Sequence, residues 1–106
     1  VVMGALHPGA VAGDVHRAWK KVLDRYGLEK KSRIGYSIGN GYAPDWGEHT
    51  LSLRSGEQTI VPQSAVIHVI LGMWMDDWGM ELSETLHITD MGCVRLCDFP
   101  QHVHLI

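Results

Sequence analysis

Apolar residues recur at spacings of three and four from Val11 through Val15, Ala18, Trp19, Val22 and Leu23 to Tyr26. That spacing draws one stripe down an amphipathic helix, with Lys20, Lys21, Asp24 and Arg25 off it. Asp14 falls in the first turn, where a carboxylate suits the helix N-terminus, and Gly27 offers a stop after Tyr26. The pattern therefore predicts a helix over about 11–26, entered after a break at His7-Pro8-Gly9. Further on the period changes to two. Thr50-Leu51-Ser52-Leu53 and Thr59-Ile60-Val61 read as short strands around a turn at Ser55-Gly56-Glu57. Val66-Ile67-His68-Val69-Ile70 is β-branched and nearly all apolar, which predicts a strand buried on both faces. From Met80 to Thr89 the alternation is regular. Met80, Leu82, Leu86 and Ile88 take one face, Glu81, Ser83, Thr85 and His87 the other, and Glu84 intrudes on the apolar side. Asp90-Met91-Gly92 then predicts a hairpin turn, with Cys93–Cys97 as the returning strand.

Residues 35–49 show neither period. Gly35, Gly39, Gly41 and Gly47 with Pro44 and Asp45 predict irregular backbone, of the kind that often carries sites. The order of elements is thus helix, glycine-rich loop, antiparallel strands. It predicts an α+β layer with one amphipathic helix packed on an antiparallel sheet.

Composition narrows the function. The chain has 106 residues with 45% hydrophobic, enough for one compact unit. Nine basic residues against twelve acidic leave a net charge of -3 and no basic stripe, so no nucleic-acid partner is expected. No apolar run is long enough for a membrane helix, and Val1–Leu6 has no charged leader pattern. These residues read instead as the end of a helix that begins upstream. Cys93 and Cys97 stand about 13 Å apart if they lie on one strand, too far for a disulfide. Reduced thiols and no leader place the expected location in the cytoplasm. Cys97 with His102 and His104 could also be grouped as a metal cluster, but a C-terminal histidine pair is ordinarily solvated or packed.

Three segments carry a family resemblance. They are Ser32-Arg33-Ile34-Gly35-Tyr36-Ser37-Ile38-Gly39, Pro44-Asp45-Trp46-Gly47-Glu48-His49 and Gly72-Met73-Trp74-Met75-Asp76-Asp77-Trp78-Gly79. Together they resemble the pita-bread family of creatinase, prolidases and methionine aminopeptidases, and within it the metal-free branch of ectoine hydrolases. The resemblance implies the second half of a pita-bread fold over residues 1–106, a C-terminal portion whose upstream half is absent from this sequence. It also identifies where the metal-dependent members hold ligands. Tyr36 stands where they have a histidine, and Ile70 and Ser83 stand where they have glutamates. A phenol of pKa about 10 is a poor ligand at neutral pH, and isoleucine is none. A two-metal site needs ligands for cations about 3.5–4 Å apart. No metal and no other cofactor is therefore expected.

The resemblance then implies hydrolysis of a C–N bond in a small cyclic amidine such as ectoine, opening the ring to an acetylated diaminobutyrate. His68 and Glu81 are the candidate catalytic groups, because they lie one strand repeat from Ile70 and Ser83 and carry chemistry suited to proton transfer. A packed core histidine and a solvated strand-face glutamate are the competing readings. Tyr36, Trp46 and Trp74 are candidates for a box around a delocalised cation, with Glu48 and His49 beside Trp46 on the amidine. Loop packing or a dimer interface would use the same rings. Glu84 on the apolar face calls for an arginine among Arg33, Arg54 and Arg95. The partners expected are a small-molecule substrate and, in the full-length protein, a second copy in a homodimer. Two other functions fit the same family: an Xaa-Pro-type metallopeptidase relative and a catalytically inert truncated domain.

Overall fold

A computed structural model describes all 106 residues as an α+β fold. A short helix α1 (Val2–Ala5) precedes helix α2 (Ala12–Asp24). Seven strands follow: β1 (Gly35–Tyr42), β2 (Asp45–Ser52), β3 (Val66–Ile70), β4 (Met73–Trp74), β5 (Gly79–Met80), β6 (Ser83–Thr89) and β7 (Gly92–Arg95). Five of them form one antiparallel sheet in the order β2-β1-β3-β6-β7, and β4 and β5 pair separately. No helix is long and apolar enough to cross a membrane.

The stripe on α2 packs as its spacing predicts. Val15, Trp19 and Leu23 are buried in one core with Leu51, Leu53, Ile67, Val69, Leu86 and Ile88. Tyr26 does not join it. The helix ends at Asp24, and Tyr26 lies beyond, largely exposed. The start of α2 has no side-chain cap. Its first N–H groups are taken by a neighbouring length of backbone instead: Ala12 N–H donates to the Thr59 carbonyl and Gly13 N–H to that of Glu57. Gly9 and Val61 continue this seam, with Gly9 N–H donating to the Val61 carbonyl and Val61 N–H to that of Ala10. The predicted strand at 59–61 is thus only a bridge, between Val11 and Ile60. Gly13 is required by the approach. A Cβ there would lie 2.6 Å from the Glu57 carbonyl oxygen.

The largest departure from expectation lies at residues 35–49. The glycine-rich stretch is not an irregular loop but the hairpin β1–β2, with β1 paired on its other side to β3. Three of the eight β1 residues are glycine, so the strand has no apolar alternation of its own and is held by its two neighbours. Its ladder with β2 slips between Tyr36 and Ile38, where five β2 positions span two of β1. Ser37 fills the slip. Its Oγ accepts from Leu51 N–H at 3.2 Å and lies 2.9 Å from Thr50 Oγ1.

Two strand expectations also change. β3 is buried on one face only, through Ile67 and Val69, while Val66, His68 and Ile70 are half-buried on the other. The alternating run 80–89 is broken, because Leu82 gives its carbonyl to Leu71 N–H and Gly79–Met80 pairs with β4. Met80 and Leu82 are accordingly exposed, while Leu86 and Ile88 are sealed. Glu84 on the helix side meets Arg95, the 2.8 Å ion pair that its position calls for, and Gln101 Nε2 donates to the same oxygen at 2.7 Å.

Candidate active site

Strand register decides which side chains can meet. Tyr36 is opposite Ser52 on one side and His68 on the other, and His68 is opposite Thr85. Residues directly opposite share a face. The row Ser52-Tyr36-His68-Thr85 therefore crosses four strands on the face turned away from α2.

Within that row the contacts are specific. His68 Nδ1 and Thr85 Oγ1 are 3.1 Å apart, which fixes the ring and leaves Nε2 without a protein partner. The Tyr36 ring stands edge-on to His68 at 5.8 Å between centroids. The Arg33 guanidinium covers the Tyr36 ring at 4.3 Å and donates to Ser52 Oγ at 3.3 Å. Beyond Tyr36, Gly47 pairs with Ile38 on this face, and a Cβ on it would meet Asp45 Oδ1 at 3.3 Å and Tyr36 Cδ2 at 3.5 Å. Asp45 accepts from Gly47 N–H at 3.0 Å and binds His49 Nε2. The Gly47 N–H above all, then His49 and the nearby charge of Arg33, hold the Asp45 carboxyl below its ordinary range. One face thus carries Asp45–His49, Tyr36 under Arg33, and His68 on Thr85.

The other predicted residues are placed differently. Glu81 is exposed and lines a groove of about 540 Å³ with His68, Ser83 and Thr85, so the two proposed catalytic groups share one space. Trp74 neighbours Glu81. A Cβ on Gly72 would meet Trp74 Nε1 at 3.3 Å and Glu81 Oε2 at 3.4 Å. Trp46 and Glu48 alternate with Asp45 and Gly47, and a Cβ on Gly39 would come within 2.4 Å of Glu48 Oε1. Glu48 lines a hollow with Ser37 and Thr50 on the side opposite Tyr36. The structure therefore brings Tyr36, His68, His49 and Glu81 to one face or its margin, and does not bring Trp46 and Glu48 there. Arg33, Asp45 and Ser52 join the face without having been expected. Their signal was register, which cannot be read while β1 is taken for a loop.

Ile70 is opposite Ser83, on the same face as Tyr36 and His68. The three positions that the family resemblance implies for metal ligands thus fall on the side that carries the row. They offer a phenol, an alkyl chain and a hydroxyl, and this set does not fit two divalent cations. No three His, Cys, Asp or Glu side chains converge elsewhere in the chain as a metal-holding group.

Comparison with known proteins agrees with this architecture. The profile of metallopeptidase family M24 matches residues 1–90. Ectoine hydrolase of Halomonas elongata is 41% identical over 97 residues, covering 91% of this chain and 24% of that protein. Among solved structures, X-Pro aminopeptidase from Thermotoga maritima superposes with a TM-score of 0.85 at 15% identity, covering 99% of this chain and 29% of that one. Dipeptidase PepE from Mycobacterium ulcerans gives 0.80 at 22%, covering 93% and 26%. The chain spans about a quarter of the length of the curated relatives it matches. On the profile match, the register and the shared fold, the chain belongs to metallopeptidase family M24 and has the α+β fold of its pita-bread members.

Proposed function

We propose that the open face of the sheet is one wall of a metal-independent pocket that hydrolyses a C–N bond in a small cyclic amidine of the ectoine kind. The observation that carries this is the row itself. Groups suited to an amidinium carboxylate stand together on the face where the ligand positions hold Tyr36, Ile70 and Ser83. The similarity to a named ectoine hydrolase supports the substrate class.

Each group has a part in the reading. Arg33, held over the Tyr36 ring, pairs with the substrate carboxylate, and the Asp45 carboxylate faces the delocalised cation. Thr85 orients His68, whose Nε2 takes a proton as water oxygen adds to the amidinium carbon. The bond to one ring nitrogen then breaks, and that nitrogen recovers the proton from His68. The remaining hydroxyl becomes the amide carbonyl as its proton passes to the freed amine, so one water is consumed and an acetylated diaminobutyrate results. Glu81 accepts an amidinium N–H across the groove, with Trp74 beside it. In this reading residues 1–106 are the second half of a catalytic domain, and the working enzyme is a cytoplasmic homodimer. The exposure of Trp78 and Met80 fits an associating surface.

An amide and indole correlation spectrum of the chain, titrated with ectoine, tests the reading. Saturable movement of the Tyr36, His68 and Thr85 amides and of the Trp74 indole is the expected result. A dispersed spectrum that stays still in excess ectoine rejects this wall as the binding surface. Specific broadening of Tyr36 and Ser83 by a stoichiometric addition of manganese would overturn the metal-independent half of the proposal.

A further inference from the structure

On the other side of the molecule, α2 carries a histidine that the mechanism does not use. His16 is 6% exposed and has a stripe position among Ala12, Val15 and Trp19. It makes no hydrogen bond to any protein group, yet no side-chain nitrogen or oxygen in the chain is both sealed and unpartnered. Its ring nitrogens are therefore not sealed, and the ring lines a hollow beside α2. That hollow, of about 270 Å³, is bounded by Lys20 one turn along α2, by Leu28, Glu29, Lys30 and Lys31 after the helix, and by Ser55 from the turn that follows β2.

The charges around it are unequal. Three lysines and one carboxylate line the space. Lys20 also binds Asp24 at 2.6 Å, and Lys30 donates to the Gly72 carbonyl at 2.7 Å. Lys31 and the Ser55 hydroxyl have no partner. Burial, and then the charge of Lys20, push His16 below its ordinary range, so at neutral pH it is an uncharged imidazole with one N–H to give. A buried ring that gives nothing to the protein, a free ammonium and a free hydroxyl together outnumber the one carboxylate, Glu29, that lines the space.

We infer that this hollow is a binding site for a small oxyanion of the phosphate or sulfate class, held by His16, Lys31, Lys20 and Ser55. It lies apart from the proposed amidine pocket, and nothing in it depends on that reading. An anion of this class supplies several acceptor oxygens at once, which suits donors converging from α2 and two loops.

Sulfate is the useful probe, because its charge does not change near neutrality. Long-range proton–nitrogen spectra of the histidine rings, recorded on the whole chain, follow His16 during the titration. The expected result is a saturable shift of the His16 nitrogens, a rise in its apparent pKa on saturation, and no such shift with chloride at equal ionic strength. Lys31→Ala should weaken sulfate binding by about tenfold, as the loss of a charged hydrogen bond does, and Lys31→Arg should restore most of it. Lys31 is exposed, so neither change threatens folding. No saturable shift with sulfate, a shift that chloride reproduces, or one unchanged in Lys31→Ala would each overturn the proposal.

Discussion

On the helix-covered face of the sheet, Ile67, Val69, Leu86 and Ile88 are sealed in the core. One residue further along the same strands, His68, Thr85 and His87 stand half-exposed on the open face. The sealed face is joined by non-directional apolar contact, the open face by named pairs such as His68–Thr85 and Arg33–Tyr36. The difference separates what holds this chain together from what it can do. Stability should concentrate on one side of each strand and chemistry on the other.

The sharpest way to break that division is to substitute neighbours on β3. Ile67→Ala should cost about 2–5 kcal/mol, the range for emptying a sealed aliphatic position, and Val66→Ala on the open face well under half of that. Urea unfolding of the two variants decides it, and equal losses would mean that the open face is as much core as the other. A second test is polar. Arg95→Met leaves the Glu84 carboxylate on the sealed side with only Gln101, which should cost roughly 1–3 kcal/mol. His68→Gln on the open face should change the melting temperature little. The smallest effect concerns acid. His16 is lowered in the folded state, so the unfolded chain binds more protons as the pH drops below about 6.5. Its contribution is therefore present above that pH and is lost as the pH falls through the folded value. The melting temperature should decline over this window, and His16→Asn should flatten the decline.

The sequence announced the two kinds of face unevenly. The sealed one was legible because apolar periodicity reports burial directly. The α2 stripe and the Leu86–Ile88 side of β6 were read from spacing alone. β1 and β2 were not, because Gly35, Gly39 and Gly41 erase the alternation and leave a strand defined by what pairs with it. The open face suffered in consequence. His68, Tyr36 and Glu81 could be singled out by chemistry and by family resemblance, but their neighbours could not. Asp45 and Ser52 reach Tyr36 only through a ladder with a slip in it, and Trp46 and Glu48 are turned away by strand alternation. Residue type was enough to nominate chemistry, and register was needed to assemble it.

The backbone seam at the start of α2 has a consequence for how this chain can vary. A side-chain cap travels with its helix and tolerates any change in the loops nearby. Here the caps are the carbonyls of Glu57 and Thr59, and they arrive in phase only because the turn after β2 has its present length. One residue added between Arg54 and Glu57 would put the wrong groups opposite Ala12 and Gly13. The turn looks disposable, being polar and glycine-bearing, yet it acts as a ruler for the helix. Homologues should therefore change its length hardly at all, and an inserted tag there would first be felt as fraying of a helix some forty residues earlier in the chain.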